Sequence, residues 1–203
     1  MRHAAENIIL CPEDRKMVPY EEYLKEKLIS EEVLQKRIAE LGAAISHDYA
    51  NSSNLLLICI LRGGIMFLTD LMRHITVPHA IDFMAVSSYG EGKRESQGSV
   101  YIKMDLMTDI GGRDVIIVED IVDSGYTLSS VLQLLSTRKP ASLNICTLLD
   151  KAERRQVEVP IKYTGFVIPN KFVFGYGLDL DELFRNLPFI GVVDLKKYDA
   201  KKS

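Results

Sequence analysis

Glu119, Asp120 and Asp123 stand at the end of an apolar run, Val115, Ile116, Ile117 and Val118, and Ser124, Gly125, Tyr126 and Thr127 follow at once. Acids that close a fully apolar run mark the carboxyl end of a strand buried on both faces, the edge at which open parallel sheets bind ligands. Leu128, Val131, Leu132 and Leu135 then recur at i, i+3, i+4 and i+7, so the small residues open an amphipathic helix. Free backbone N–H groups at that helix start, two hydroxyls and a glycine allowing close approach form a cradle for phosphate. Two carboxylates just before the cradle suit the hydroxyls of a sugar hanging from that phosphate. Two other readings of the acids stand beside this one: a magnesium pocket of the receiver-domain kind, or a strand end solvated by its charges. Asp123 likewise has a structural use, as N-cap of the following helix.

Alternating strands and helices must position these groups. Residues 30–49 are predicted helical, with Leu34, Ile38, Leu41 and Ile45 on one face, Ser30 as N-cap and Glu31 and Glu32 in the first turn. Residues 55–61 read as a buried strand; Arg62, Gly63 and Gly64 follow, then a helix over 65–74. Ile81, Phe83 and Ala85 lead a strand that ends in Ser87, Ser88, Tyr89 and Gly90. The polar, glycine-bearing GEGKRESQGS predicts a mobile loop before a second strand over 99–104, and residues 88–101 form a candidate lid. A buried run over 142–149 ends in Asp150 and Lys151, and shorter β-like pieces follow at 163–168, 172–174 and 189–193. Strand, crossover helix and strand in succession imply right-handed βαβ units, hence an α/β fold with a mostly parallel twisted sheet flanked by helices. Pieces at the amino end and within 169–187 break the alternation and predict a small cap over the carboxyl edge. No repeat, low-complexity block or linker divides the chain, so residues 1–203 read as a single domain.

Composition narrows the function further. With 203 residues, 47% apolar and 26% charged, the chain suits one good core. A net charge of −3 gives no footprint for nucleic acid or an anionic membrane, so any anion site is local. Cys11, Cys59 and Cys146 are widely spaced with no C-x-x-C pair, which predicts reduced thiols and a cytosolic setting. The first residues lack a signal-peptide core, and no apolar run approaches a membrane span. G-x-x-x-x-G-K-[ST] is absent, GYGLDL at Gly175 lacks the third glycine of a dinucleotide fingerprint, and the four histidines show no metal-ligand spacing.

The stretch Glu119, Asp120, Ile121, Val122, Asp123, Ser124, Gly125 and Thr127 resembles the signature of the purine phosphoribosyltransferases, which bind 5-phosphoribosyl 1-pyrophosphate (PRPP). Four further motifs occur in the family's order: LRGG at Leu61, SSYG at Ser87, LLDK ending in Lys151, and GFVIPNKFVFGYGLDLDELFRNLPFIGVV from Gly165. The likeness runs from the region of Ile9 to Val193 and is strongest to the bacterial type of hypoxanthine-guanine phosphoribosyltransferases. It implies the type I phosphoribosyltransferase fold and purine salvage: Mg²⁺-dependent transfer of ribose 5-phosphate from PRPP to hypoxanthine or guanine, giving IMP or GMP and pyrophosphate.

By that resemblance Asp123 is the general base, Glu119 and Asp120 bind the ribose hydroxyls, and Ser124, Gly125, Tyr126 and Thr127 hold the 5-phosphate. Tyr126 stands where some members carry lysine. Arg62, Gly63, Ser88, Tyr89 and Arg185 are implied at pyrophosphate; lysine is frequent at the Arg62 position, and a cis Leu61–Arg62 peptide is implied there. Lys151 is implied to donate to the six-position oxygen of the base, Phe172 to stack on it, and Val173 and Asp179 to complete the purine site. Glu119, Asp120 and Asp179 are the implied Mg²⁺ ligands, and a homodimer or homotetramer the implied assembly. From the residues alone, Phe172 also reads as ordinary core, and DLDELFRN as a solvated helical turn. Two rival functions are a PRPP-sensing regulator of nucleic acid and a related transferase acting on xanthine or a pyrimidine.

Overall fold

The computed structural model describes residues 19–88 and 100–202. Cys11, Tyr89 and most of the predicted lid lie outside them.

Strand β1 (Leu24–Ile29) leads into helix α1 (Glu31–Asp48). The Ser30 hydroxyl caps α1 by accepting from the Val33 N–H at 3.4 Å, and Leu34, Ile38, Leu41 and Ile45 form its buried face. There follow β2 (Leu55–Leu61), α2 (Ile65–Arg73), β3 (His79–Ser88), β4 (Val100–Met104), β5 (Asp114–Val122), α3 (Tyr126–Ser136), β6 (Ser142–Asp150) and β7 (Ile161–Val167). β8 (Val173–Phe174), β9 (Ile190–Val193) and α4 (Leu195–Lys202) complete the chain.

The main sheet has six strands in the order β4-β3-β2-β5-β6-β7. All its pairs are parallel except β3 with β4. Side chains alternate across a strand, so one apolar strand feeds two cores. Leu55, Leu57 and Cys59 of β2, with Ile116 and Val118 of β5, join the core beneath α1 and α2. Leu56, Ile58 and Ile60, with Val115 and Ile117, join the core beneath α3. The burial of both faces explains the unbroken apolar runs in the sequence.

From β2 the chain steps outward to β3 in one direction, whereas β5, β6 and β7 step outward in the other. The order reverses between β2 and β5, and open α/β sheets bind ligands at the carboxyl ends of the strands flanking such a point. Here those ends are Leu61 and Val122.

The predicted cap is a second, antiparallel sheet in the order β1-β9-β8, with its own core of Phe174, Leu180, Leu187, Phe189 and Val193. Its strands come from both ends of the chain, and β9 belongs to it and not to the main sheet. Among the described residues no helix is long and apolar enough to cross a membrane. Cys59 and Cys146 are buried free thiols, and burial pushes the Cys59 thiol up to about 12.

Candidate active site

The phosphate cradle is built by backbone. α3 starts at Tyr126, with Gly125 in the N-cap position at φ +92°, a left-handed conformation that favours glycine. A Cβ there would fall 2.4 Å from the Val157 carbonyl oxygen, so the turn is also too tight for any other residue. The Ser124 carbonyl accepts from Gln156 N and Val157 N at 2.9 and 3.1 Å, which fixes the turn against the segment after β6. The first N–H groups of a helix have no acceptor within it and concentrate its positive end. Glu119, Asp123, Ser124, Gly125 and Thr127 line a cleft over this start, with Ile60 of β2 on its wall. Tyr126 contributes the first helical backbone position rather than a lining side chain.

Asp123 does not cap α3, because Gly125 holds that position and no side chain caps the helix. Its carboxylate instead meets two cations: Oδ1 is 2.8 Å from Arg154 Nε, and Oδ2 is 3.5 Å from Lys151 Nζ. Lys151 follows β6 directly and is buried, its N–H donating to the Val122 carbonyl at 2.9 Å. Adjacent strand ends thereby bring the predicted proton acceptor and the predicted base donor together. Arg154 was not singled out by sequence reasoning; its only signal was a basic run, Arg154–Arg155, shortly after Lys151.

Glu119 and Asp120 carry the electrostatic cost of the site. Burial pushes the Glu119 carboxyl well above the ordinary range, and the Asp120 charge and a hydrogen bond with Asp120 push it the same way. Asp120 is raised by burial to about 6, against the opposing pull of the N–H groups of Ile121 and Asp120 and the Arg185 charge. Glu119 Oε2 is buried without a hydrogen-bond partner. Adjacent acids of this kind, one with an orphaned oxygen, fit a hard divalent cation, which favours carboxylate oxygens.

The loop after β2 closes over Asp120. The Leu61–Arg62 peptide is cis, as the resemblance implied. A Cβ on Gly63 would fall 1.6 Å from Asp120 Oδ2, and one on Gly177 would fall 2.1 Å from the Gly63 carbonyl oxygen. Loop and cap are therefore packed backbone to backbone above the acid. The Gly177 carbonyl accepts from Arg185 Nη1 at 2.8 Å, and Arg185 Nη2 pairs with Asp179 Oδ1 at 2.8 Å. Glu182 joins both predicted pyrophosphate cations, 2.8 Å from Arg62 and 3.5 Å from Arg185. Sequence reasoning passed over it within DLDELFRN. That segment is not a helical turn: Asp181, Glu182 and Phe184 all have positive φ, and Leu180 bridges Leu183.

Phe172 is 43% exposed, so it is not ordinary core. It stands at the cap edge with its carbonyl accepting from Val193 N at 2.8 Å, and it borders a hollow with Lys25, Lys171 and Lys196. Val173 pairs with Val192 in the cap sheet and is buried. Neither residue lines the cleft over α3. Ser88 ends β3, and its backbone pairs with Val100.

Similarity to known proteins agrees with this geometry. Residues 29–181 match the phosphoribosyl transferase domain family. Hypoxanthine phosphoribosyltransferase of Salmonella typhimurium is 51% identical over 171 residues, covering 84% of this chain and 96% of the relative. Hypoxanthine-guanine phosphoribosyltransferase of Mycobacterium avium is 52% identical over 180 residues, covering 86% and 88%. Among solved structures, a hypoxanthine phosphoribosyltransferase from Staphylococcus aureus superposes with a TM-score of 0.85 at 46% identity, covering 90% of this chain and 99% of that one. The chain belongs to the phosphoribosyltransferase family, with the hypoxanthine and hypoxanthine-guanine phosphoribosyltransferases as its relatives.

Proposed function

We propose that this purine phosphoribosyltransferase transfers ribose 5-phosphate from PRPP to hypoxanthine or guanine, giving IMP or GMP and pyrophosphate, with Mg²⁺ bound. The observation that carries the reading is the Asp123–Lys151 pair beside the start of α3. The contact supports reading Asp123 as the proton acceptor and Lys151 as the donor to a six-oxo group.

In this reading the first amides of α3 and the hydroxyls of Ser124 and Thr127 hold the 5-phosphate, and Glu119 and Asp120 orient the ribose hydroxyls. Asp123 takes the proton from the purine nitrogen as the bond to the anomeric carbon forms. Lys151 donates to the six-position oxygen; adenine presents an amino group there, so the same donor opposes it. Phe172 supplies a stacking ring, and Val173 and Asp179 contact the purine edge. The departing pyrophosphate is met by Arg62, the Gly63 backbone, Ser88, Tyr89 and Arg185, which stabilise charge developing on the leaving group. Mg²⁺ at Glu119, Asp120 and Asp179 would supply further charge neutralisation. Among the described residues no group of three or more acids, histidines or cysteines could hold a metal ion by itself, so Glu119, Asp120 and Asp179 do not form a preassembled site.

The buried free thiols favour a reducing, cytoplasmic setting. A homodimer or homotetramer is the assembly proposed, on the family resemblance.

A base panel with PRPP and Mg²⁺ tests the reading. Hypoxanthine and guanine should turn over and adenine should not. Turnover of xanthine or a pyrimidine alone would assign another substrate, and nucleic-acid binding at moderate salt without turnover would support a PRPP-sensing regulator.

A further inference from the structure

α4 is a short, highly charged helix that buries little apolar surface, yet its start is firmly held. Asp194 donates its N–H to the Tyr23 carbonyl at 2.7 Å, and its own carbonyl accepts from Tyr198 N at 3.0 Å. This turn carries Tyr198 back over the cap, where the ring meets Tyr23 edge-on at 6.4 Å between centroids.

Two further contacts of Tyr198 lead toward different halves of the candidate site. Its ring meets Phe172 at 6.1 Å with an interplanar angle of 72°, an edge-to-face arrangement that aromatic pairs favour. Its hydroxyl donates to Asp181 Oδ1 at 2.8 Å. Asp181 has φ +53° and lies two residues beyond Asp179, in the loop that holds the Asp179–Arg185 ion pair. Glu182, the next residue, donates its N–H to Asp179 Oδ2 at 2.9 Å. One side chain from the last helix thus touches the exposed ring on the purine side and the loop on the pyrophosphate side.

We propose that Tyr198 is a positioning residue for the transfer, fixing Phe172 for the base and the 179–185 loop for the phosphate groups of PRPP. The inference rests on the assignment of Phe172 to the base and of Arg185, which is held by its ion pair with Asp179, to pyrophosphate. Phe172 is exposed at a sheet edge, and its edge-to-face contact with the Tyr198 ring favours one orientation of its own ring. A loop with three non-glycine residues at positive φ is strained, and the Tyr198 hydroxyl ties one of them.

Steady-state kinetics on the full-length chain separate the two functions. Tyr198→Phe keeps the ring and removes only the hydrogen bond, so KM for PRPP should rise about three- to tenfold while KM for guanine stays near wild type. Tyr198→Leu loses both contacts, so KM for guanine should also rise, by about three- to tenfold. In a Phe172→Leu background the further change Tyr198→Leu should add nothing to the guanine KM. Phe172→Leu alone tests the underlying assignment: an unchanged guanine KM would remove Phe172 from the base site. If Phe172→Leu raises the guanine KM but both Tyr198 variants keep both KM values within about twofold of wild type, the positioning role is overturned and the assignment stands. A fall in kcat and thermal stability with unchanged KM values would make Tyr198 purely structural. Should the leucine variant fail to fold, Tyr198→Phe still decides the phosphate half.

Discussion

The ammonium of Lys151 faces the carboxylate of Asp123 at 3.5 Å, and Arg154 approaches the other oxygen of the same carboxylate at 2.8 Å. Lys151 is buried, so its charge requires a partner in the free protein. The separation is longer than a good hydrogen bond, which leaves the pair easy to open when a base offers each group a better partner. A purine nitrogen for Asp123 and a six-position oxygen for Lys151 would replace one shared contact with two.

Replacing Asp123 with Asn keeps the shape of the side chain and removes the proton acceptor. Turnover should fall by about 10² to 10⁴, with PRPP binding nearly unchanged because the cradle is backbone held by Gly125 and Ser124. Turnover within about fivefold of wild type, measured at saturating PRPP, would remove Asp123 from proton transfer.

Lys151→Ala should cost about 1 to 3 kcal/mol of base affinity, since it leaves the six-position oxygen unpaired in a buried site. Discrimination against adenine should narrow, because the opposing donor is gone. Calorimetric titration of guanine and adenine into the PRPP-saturated variant gives both numbers, and an unchanged guanine affinity would exclude Lys151 from the base site.

Glu182 pairs with Arg62 at 2.8 Å and with Arg185 at 3.5 Å, so on the proposed assignment of these two arginines it would compete with pyrophosphate for both. Glu182→Gln should tighten pyrophosphate inhibition, by at most about fivefold because exposed ion pairs are weak. The gain should shrink at high salt. Weaker inhibition in the variant would mean that Glu182 orients the arginines productively instead of competing for them.

Much of the framework was legible because burial writes itself into composition. β2 reads as an unbroken apolar run, β5 as one over its first half and β6 as a mainly apolar run interrupted by Asn144 and Thr147, and the acids at the end of β5 stood out against them. α4 was not legible: LKKYDAKK offers too few apolar residues to show a helical period, and the helix is anchored by Asp194 and Tyr23 instead. β1 lost its signal to exposure, with Lys25, Glu26 and Lys27 all facing solvent. Arg154 and Glu182 entered through charge pairing, which leaves no local pattern; Arg62 and Glu182 lie 120 residues apart. The N-cap alternative for Asp123 failed because glycine at a left-handed φ took the cap position two residues later.

Asp82 supplies a stability test away from the cleft. It is 7% exposed, and its carboxylate accepts from Phe83 N at 2.7 Å, Met107 N at 3.0 Å and Thr108 N at 2.8 Å, fixing the turn after β4. Burial alone would raise its pKa, but these backbone donors and the Thr108 hydroxyl outweigh burial, and the net shift is downward. A carboxyl lowered on folding contributes stability above its unfolded value, roughly pH 4, and loses that contribution as pH falls through the folded value. Asp82→Asn puts an amide donor among N–H donors and should cost about 1.5 to 3 kcal/mol near neutral pH. Urea unfolding of both proteins across the acid range should show the gap narrowing below about pH 4, as the wild-type carboxylate takes up its proton. A gap that stayed constant down to about pH 2 would mean that the charge on Asp82 contributes nothing and that only its shape holds the turn.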